Sequence, residues 1–104
     1  MTLNALEDIL KNTNYPVKYS HFSKPVTPPY ITYIAIRSGN FIADNKVYKK
    51  IDNIQIELYT SKKDLEAENT LENLLDENDI AYEYDEAWIE SEKLFQRIYE
   101  VRLI

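Results

Sequence analysis

A chain of 104 residues, 44% of them apolar, can bury one two-layer core but not two, and its nine tyrosines suit half-buried sheet surfaces where the ring packs and the hydroxyl stays wet. It has no cysteine and one glycine, which excludes a disulfide framework, a thiolate metal site, a cysteine nucleophile and a glycine-rich phosphate loop. The formal charge of -6 is unevenly spread, with twelve acids and no Lys or Arg between Asp64 and Glu92 and the basic residues mainly in 11–63; this disfavours duplex binding by counterion release and fits a basic partner or head-to-tail contact between unlike faces of like subunits.

Leu3, Leu6, Ile9 and Leu10 fall at helical spacing behind Thr2 as cap, predicting a helix over about 3–12 that Asn12-Thr13-Asn14 and Pro16 end. No signal-peptide pattern opens the chain and no apolar run approaches ~18 residues, so a cytosolic protein, or one assembled in the cytosol, is expected, with no membrane partner. Val17 to Phe22 reads as a strand. Residues 23–29 hold three prolines in seven, Pro25, Pro28 and Pro29, and read as a stiff surface arm. Tyr30 to Arg37 is apolar on both alternating sets, the pattern of a strand covered on both sides.

Ser38-Gly39-Asn40 is the expected site of a positive φ and a reversal. Phe41 to Tyr48 continues as strand with a kink at Asp44-Asn45, and Ile54, Ile56 and Leu58 then alternate with Gln55, Glu57 and Tyr59 as a half-buried strand. The main helix opens near Ser61 or Asp64. Ala67, Leu71, Leu74 and Leu75 form its buried stripe, with Leu65 and Asn78 at the ends; Glu66, Glu68, Glu72, Asp76 and Glu77 are expected on the exposed side. Ala81 to Asp85 predicts a short strand, 86–93 a loop carrying Trp88 and Ile89, and Leu94 to Leu103 a longer strand on which Phe95, Arg97, Tyr99, Val101 and Leu103 share a face. The order predicts one α+β domain over 1–104: an antiparallel, or mixed, sheet of about five to six strands with two α-helices packed on one face.

Little in this pattern points to chemistry. His21 is the sole histidine, with no acid near it in sequence, and reads as an ordinary strand residue. Asp76-Glu77-Asn78-Asp79 lacks the glycine of a calcium loop, and the scattered carboxylates read as surface. No enzyme activity, metal or cofactor is expected. The residues set out for contact are the arm with Pro25, Pro28 and Pro29, the basic cluster Lys46, Lys49 and Lys50, the acidic set Glu66, Glu68 and Glu72, and Trp88 with Ile89.

The run FIADNKVYKKIDNIQIELYTSKKDLEAENTLENLLDEN, preceded by PVKYSHFSKPVTPPYITY and followed by WIESEKLFQRIYEV, resembles small proteins of the head-tail module of long-tailed phages and prophages of Gram-positive bacteria. The likeness covers nearly the whole chain and rests on overall pattern. It implies a tail-completion protein, a tail terminator or tail-to-head joining subunit, in which copies form a ring, hexameric in that group, between the major tail-tube protein and the head-connector or neck proteins. Acidic residues facing the lumen would let DNA pass without sticking. A different class of function stays open: a small acidic binding protein that mimics DNA and inhibits a host protein, although Lys46, Lys49, Lys50, Lys62 and Lys63 cluster at the centre of this chain.

Overall fold

The computed structural model describes residues 1–43, 45–49 and 51–103, with the backbone alone for 41–43 and 46–49. Among the described residues two helices and seven strands follow one another as α1 (Leu3–Lys11), β1 (Val17–Tyr19), β2 (Tyr30–Ser38), β3 (Phe41–Ala43), β4 (Lys46–Lys49), β5 (Asp52–Thr60), α2 (Leu65–Glu77), β6 (Tyr82–Ile89) and β7 (Leu94–Leu103). Five strands form the main sheet in the order β1-β2-β5-β7-β6, and β3 and β4 pair as a separate hairpin. The fold is α+β with a mixed sheet: β1 runs parallel to β2, and the other neighbours are antiparallel.

Both helices lie on one face. Cross-strand register places Ile31, Tyr33, Ile54, Ile56, Leu58, Arg97, Tyr99 and Val101 on the same side of the sheet, and the apolar members pack with Leu6 and Leu10 of α1 and Ala67, Leu71 and Leu75 of α2 in one core. Thr2 caps α1, accepting from the Ala5 N–H at 3.1 Å, as its spacing predicted. Asp64, not Ser61, caps α2 through the Ala67 N–H at 3.0 Å. Asp79 takes a left-handed φ of 56° just past that helix, where the Ile80 N–H turns back to the Leu75 carbonyl at 2.9 Å.

Several expectations change. β1 stops at Tyr19 instead of Phe22 because Ser20 turns to φ 66°. Gly39 does not adopt a positive φ. Its N–H donates to Ile51 O at 2.7 Å and carries the β2–β5 pairing one step on; the residue is small because an added Cβ would stand 3.2 Å from Asn53 Nδ2. The segment read as one kinked strand is the β3–β4 hairpin, turned at Asn45 with φ 61°, while Asp44 lies outside the described residues. The short strand and loop expected over 81–93 are one eight-residue strand, Tyr82–Ile89, whose register with β7 is unbroken, and the turn shrinks to 90–93.

A parallel β1–β2 pair needs its connection to travel back along the strands. Residues 20–29 make that return over the face opposite the helices, where Phe22 meets Tyr30 edge-on at 5.4 Å and Tyr30 stacks on Tyr59 at 4.9 Å. This explains the doubly apolar pattern of β2. Thr32 is buried under the arm and Ile31 and Tyr33 under the helices, whereas residues 35–38, past the arm, are exposed.

Candidate functional site

Three features stand out from the fold: an ionic cluster under α2, a groove beneath the proline arm and the outer edge of β6. The cluster is centred on Arg97, which β7 points into the helix-covered side and which is 9% exposed. Its guanidinium lies 3.4 Å from Glu68 Oε1, 3.4 Å from Glu72 Oε2 and 3.7 Å from Glu86 Oε1. It sits 3.9 Å over the Tyr84 ring, and its Nε–H donates to the Tyr99 hydroxyl at 2.8 Å. Tyr99 in turn donates to Glu72 at 2.6 Å, and Lys63 bridges Glu68 at 2.8 Å and Glu86 at 2.9 Å. Burial works against the Arg97 charge, but the Tyr99 hydroxyl and the Glu68 and Glu72 carboxylates outweigh it and hold the guanidinium charged.

This arrangement corrects the helix reading. Glu68 is buried at 7% exposure and Glu72 is half-buried, because both turn toward Arg97; Glu66 stays on the exposed side as expected. Leu65, placed by its spacing at the end of the buried stripe, is 64% exposed, and Asn78 is the exposed C-cap. Two of the three carboxylates proposed as a free acidic face are therefore ion-paired from within.

The groove holds about 450 Å³ between the arm (His21, Phe22, Lys24, Pro25) and Tyr30, Thr32 and Tyr59 of the sheet, with Glu92 at its rim. Pro28 and Pro29, joined by a cis peptide, are half-buried, while Pro25 is exposed. Beside the groove, Tyr59 donates to Glu57, and Gln96 donates to Glu57 at 2.9 Å and to the Tyr59 hydroxyl at 3.0 Å. Thr32 Oγ1 makes no hydrogen bond among the described residues. Among the described residues the His21 ring has a hydrogen bond with the Ser20 hydroxyl, at 3.0 Å.

Burial first, then hydrogen bonding to Glu7 at 3.0 Å, pushes the Tyr33 hydroxyl up to about 12. Tyr59 and Tyr99 are raised for the same reasons, burial first and then Glu57 and Glu72 respectively. An unfolded tyrosine deprotonates near 10, so the folded state holds these protons more tightly. The stability they contribute is whole below about pH 10 and is lost as pH rises through the raised folded values. Tyrosinate absorbance followed together with far-UV circular dichroism should show Tyr33, Tyr59 and Tyr99 resisting ionisation until the fold gives way. Complete ionisation of all nine tyrosines with the fold intact would contradict these contacts.

β6 is the long edge of the sheet and, among the described residues, pairs with β7 alone. Tyr84 and Trp88, both on the helix side, are 58% and 44% exposed. Trp88 meets Phe95 at 4.8 Å and donates to Glu90 at 2.6 Å, so it is held against the sheet while most of one face stays open; Ile89 is half-buried at the strand's end. Sequence spacing named Trp88 and Ile89 as contact residues but placed them in a loop, apart from the strand it gave Tyr84, and so did not see Tyr84 and Trp88 as one edge. Lys46 and Lys49 fall on β4, and Lys50 lies outside the described residues. The structure thus does not bring the anticipated contact residues into one patch: the arm lies over the open face, Glu68 and Glu72 over the covered one, and Trp88 on the β6 edge.

Among the described residues, no group of three or more His, Cys, Asp or Glu side chains is placed to hold a metal ion. No helix is long and apolar enough to cross a membrane. No protein-family model matches the chain, and no curated protein matches it in sequence.

Proposed function

We propose that this protein is a structural subunit of a phage or prophage head-tail module, a tail terminator or tail-to-head joining protein that assembles as a ring on top of the tail tube. The reading starts from the resemblance of nearly the whole chain to that group. The structural observation that supports it best is the β6 edge, an eight-residue strand with one free side and two exposed aromatic rings, a surface suited to association. In this reading the subunit is made in the bacterial cytoplasm and ends at the head-tail junction of the virion. Its neighbours are copies of itself, the major tail-tube protein below and a connector or neck protein above. The carboxylates that α2 leaves exposed, Glu66, Asp76 and Glu77, would repel DNA passing through the ring, a part for which Glu68 and Glu72 are no longer suited.

The ion pairs that tie Glu68, Glu72 and Glu86 to Arg97 and Lys63 weigh against a DNA mimic, which needs its carboxylates free. The deciding experiment is electron microscopy of particles made by the encoding phage or prophage after deletion of this gene. Tails of uncontrolled length are expected for a terminator, and filled heads beside unattached tails for a joining protein. Normal, infectious particles would overturn the morphogenesis reading and favour the inhibitor.

A further inference from the structure

The main sheet has two edges, β1 and β6, and they match each other. We infer that they are the two halves of one subunit contact, in which β6 of one copy takes up β1 of the next, so that the sheet runs on from subunit to subunit. The inference rests on the ring proposed above and identifies the surface that would build it.

Strand direction is the first argument. β1 is parallel to β2, β2 antiparallel to β5, β5 antiparallel to β7, and β7 antiparallel to β6. β6 therefore runs opposite to β1. Copies set side by side in the same orientation, with their helices on the same side, bring β6 against the next β1 as an antiparallel pair, the more stable kind.

Side-chain alternation is the second. Register puts Val17 and Tyr19 of β1, and Tyr84 and Trp88 of β6, on the helix side, with Lys18 of β1 and Glu83 and Asp85 of β6 on the other side. Joining the edges would set Val17 and Tyr19, the latter 40% exposed, beside Tyr84 and Trp88. On the opposite face it would set Lys18 beside Glu83 and Asp85. None of these three charged side chains has an ion pair or side-chain hydrogen bond among the described residues. The self-pairings fail on the same ground, since β6 on β6 opposes carboxylates and β1 on β1 opposes lysines. Only the unlike pairing is complementary on both faces, and an unlike pairing repeats head to tail.

The contact is small. Pro16 O and Ser20 N already bond to β2, so strand parity turns the Val17 and Tyr19 backbone groups outward. The Tyr19 carbonyl is taken by the His21 N–H at 2.7 Å. What remains on β1 is the Val17 N–H and C=O and the Tyr19 N–H. One such contact is weak, whereas a closed ring gives every copy two.

The chain contains no cysteine, so introduced thiols report the contact cleanly. A chain carrying Lys18→Cys together with Asp85→Cys, oxidised mildly as concentrated protein and in particle-producing cells, should give a reducible ladder of linked multimers. Lys18→Cys with Glu100→Cys, the latter on the open face but on the interior strand β7, should not. A second test uses charge reversal, with the linked species read from Val17→Cys and Tyr84→Cys. Lys18→Glu alone, or Glu83→Lys with Asp85→Lys alone, should lose it, and the combination should regain it, which a folding defect cannot mimic. No ladder in either sample, or no regain in the combination, overturns the inference. If deletion of the gene leaves particles normal yet the ladder forms, the morphogenesis reading falls and the contact stands; if deletion halts assembly and no ladder forms, the contact falls and the reading stands.

Discussion

Arg97→Ala is expected to destabilise the fold by about 3–5 kcal/mol, the range for breaking a buried ion pair from one side. Arg97 is 9% exposed, and three carboxylates lie within 4 Å of its guanidinium. Removing it strands Glu68, itself 7% exposed, with Lys63 as its remaining cation, and takes away the Tyr99 hydroxyl's donor. Urea unfolding would read the loss as a lower midpoint at unchanged slope. Combining Arg97→Leu with Glu68→Gln and Glu72→Gln should recover much of it, because neutral groups of similar size no longer leave a charge in a poorly solvated site. An Arg97→Ala midpoint within about 0.5 kcal/mol of the parent, the range of ordinary surface substitutions, would mean that the cluster is solvated and carries little of the fold.

Leu71→Ala should cost about 2–5 kcal/mol, and Leu65→Ala less than about 0.5 kcal/mol. The two leucines sit six positions apart on the same helix, about 120° apart round its axis, although both were read onto its buried stripe. Leu71 is fully buried against the sheet, so truncating it leaves a cavity as well as lost apolar contact. Leu65 opens the helix just after the Asp64 cap, and its side chain projects into solvent. Equal losses for the two would contradict the placement of the first turn.

The parts legible in the sequence were those set by local period and local caps. Alternation along Leu94 to Leu103 marked both the strand and the face that Arg97 shares with Tyr99 and Val101, Thr2 marked the start of α1, and the start of α2 was narrowed to Ser61 or Asp64. What was not legible depends on partners distant in sequence. Nothing near Glu68 signals that Arg97 will meet it, so a buried acid on a helix reads as a solvated one. Glu86-Ala87-Trp88-Ile89, read as loop, holds two strand formers, Trp88 and Ile89, beside two residues that disfavour strand, and it is strand where β7 offers an unbroken row of backbone partners. The parallel β1 was hidden for a related reason: strand identity can be read from alternation, strand order cannot. For the candidate site, Trp88 was recognised as a contact group and Tyr84 was not, and their sharing of one sheet edge became visible only once β6 was seen as a strand.

The place of β7 in the sheet bears on how the molecule comes into being. It is the latest strand in the chain, yet it lies between β5 and β6 and supplies backbone partners to both. During synthesis α1 to α2 can emerge with β1, β2 and β5 of the main sheet and the β3–β4 hairpin able to pair, leaving the β7-facing edge of β5 bare and β6 with no neighbour. Closing the sheet needs β7 to pair with β5 across the intervening α2 and β6, a long-range step of the kind that slows folding. Until then β5 presents the kind of unprotected strand edge that captures other nascent chains.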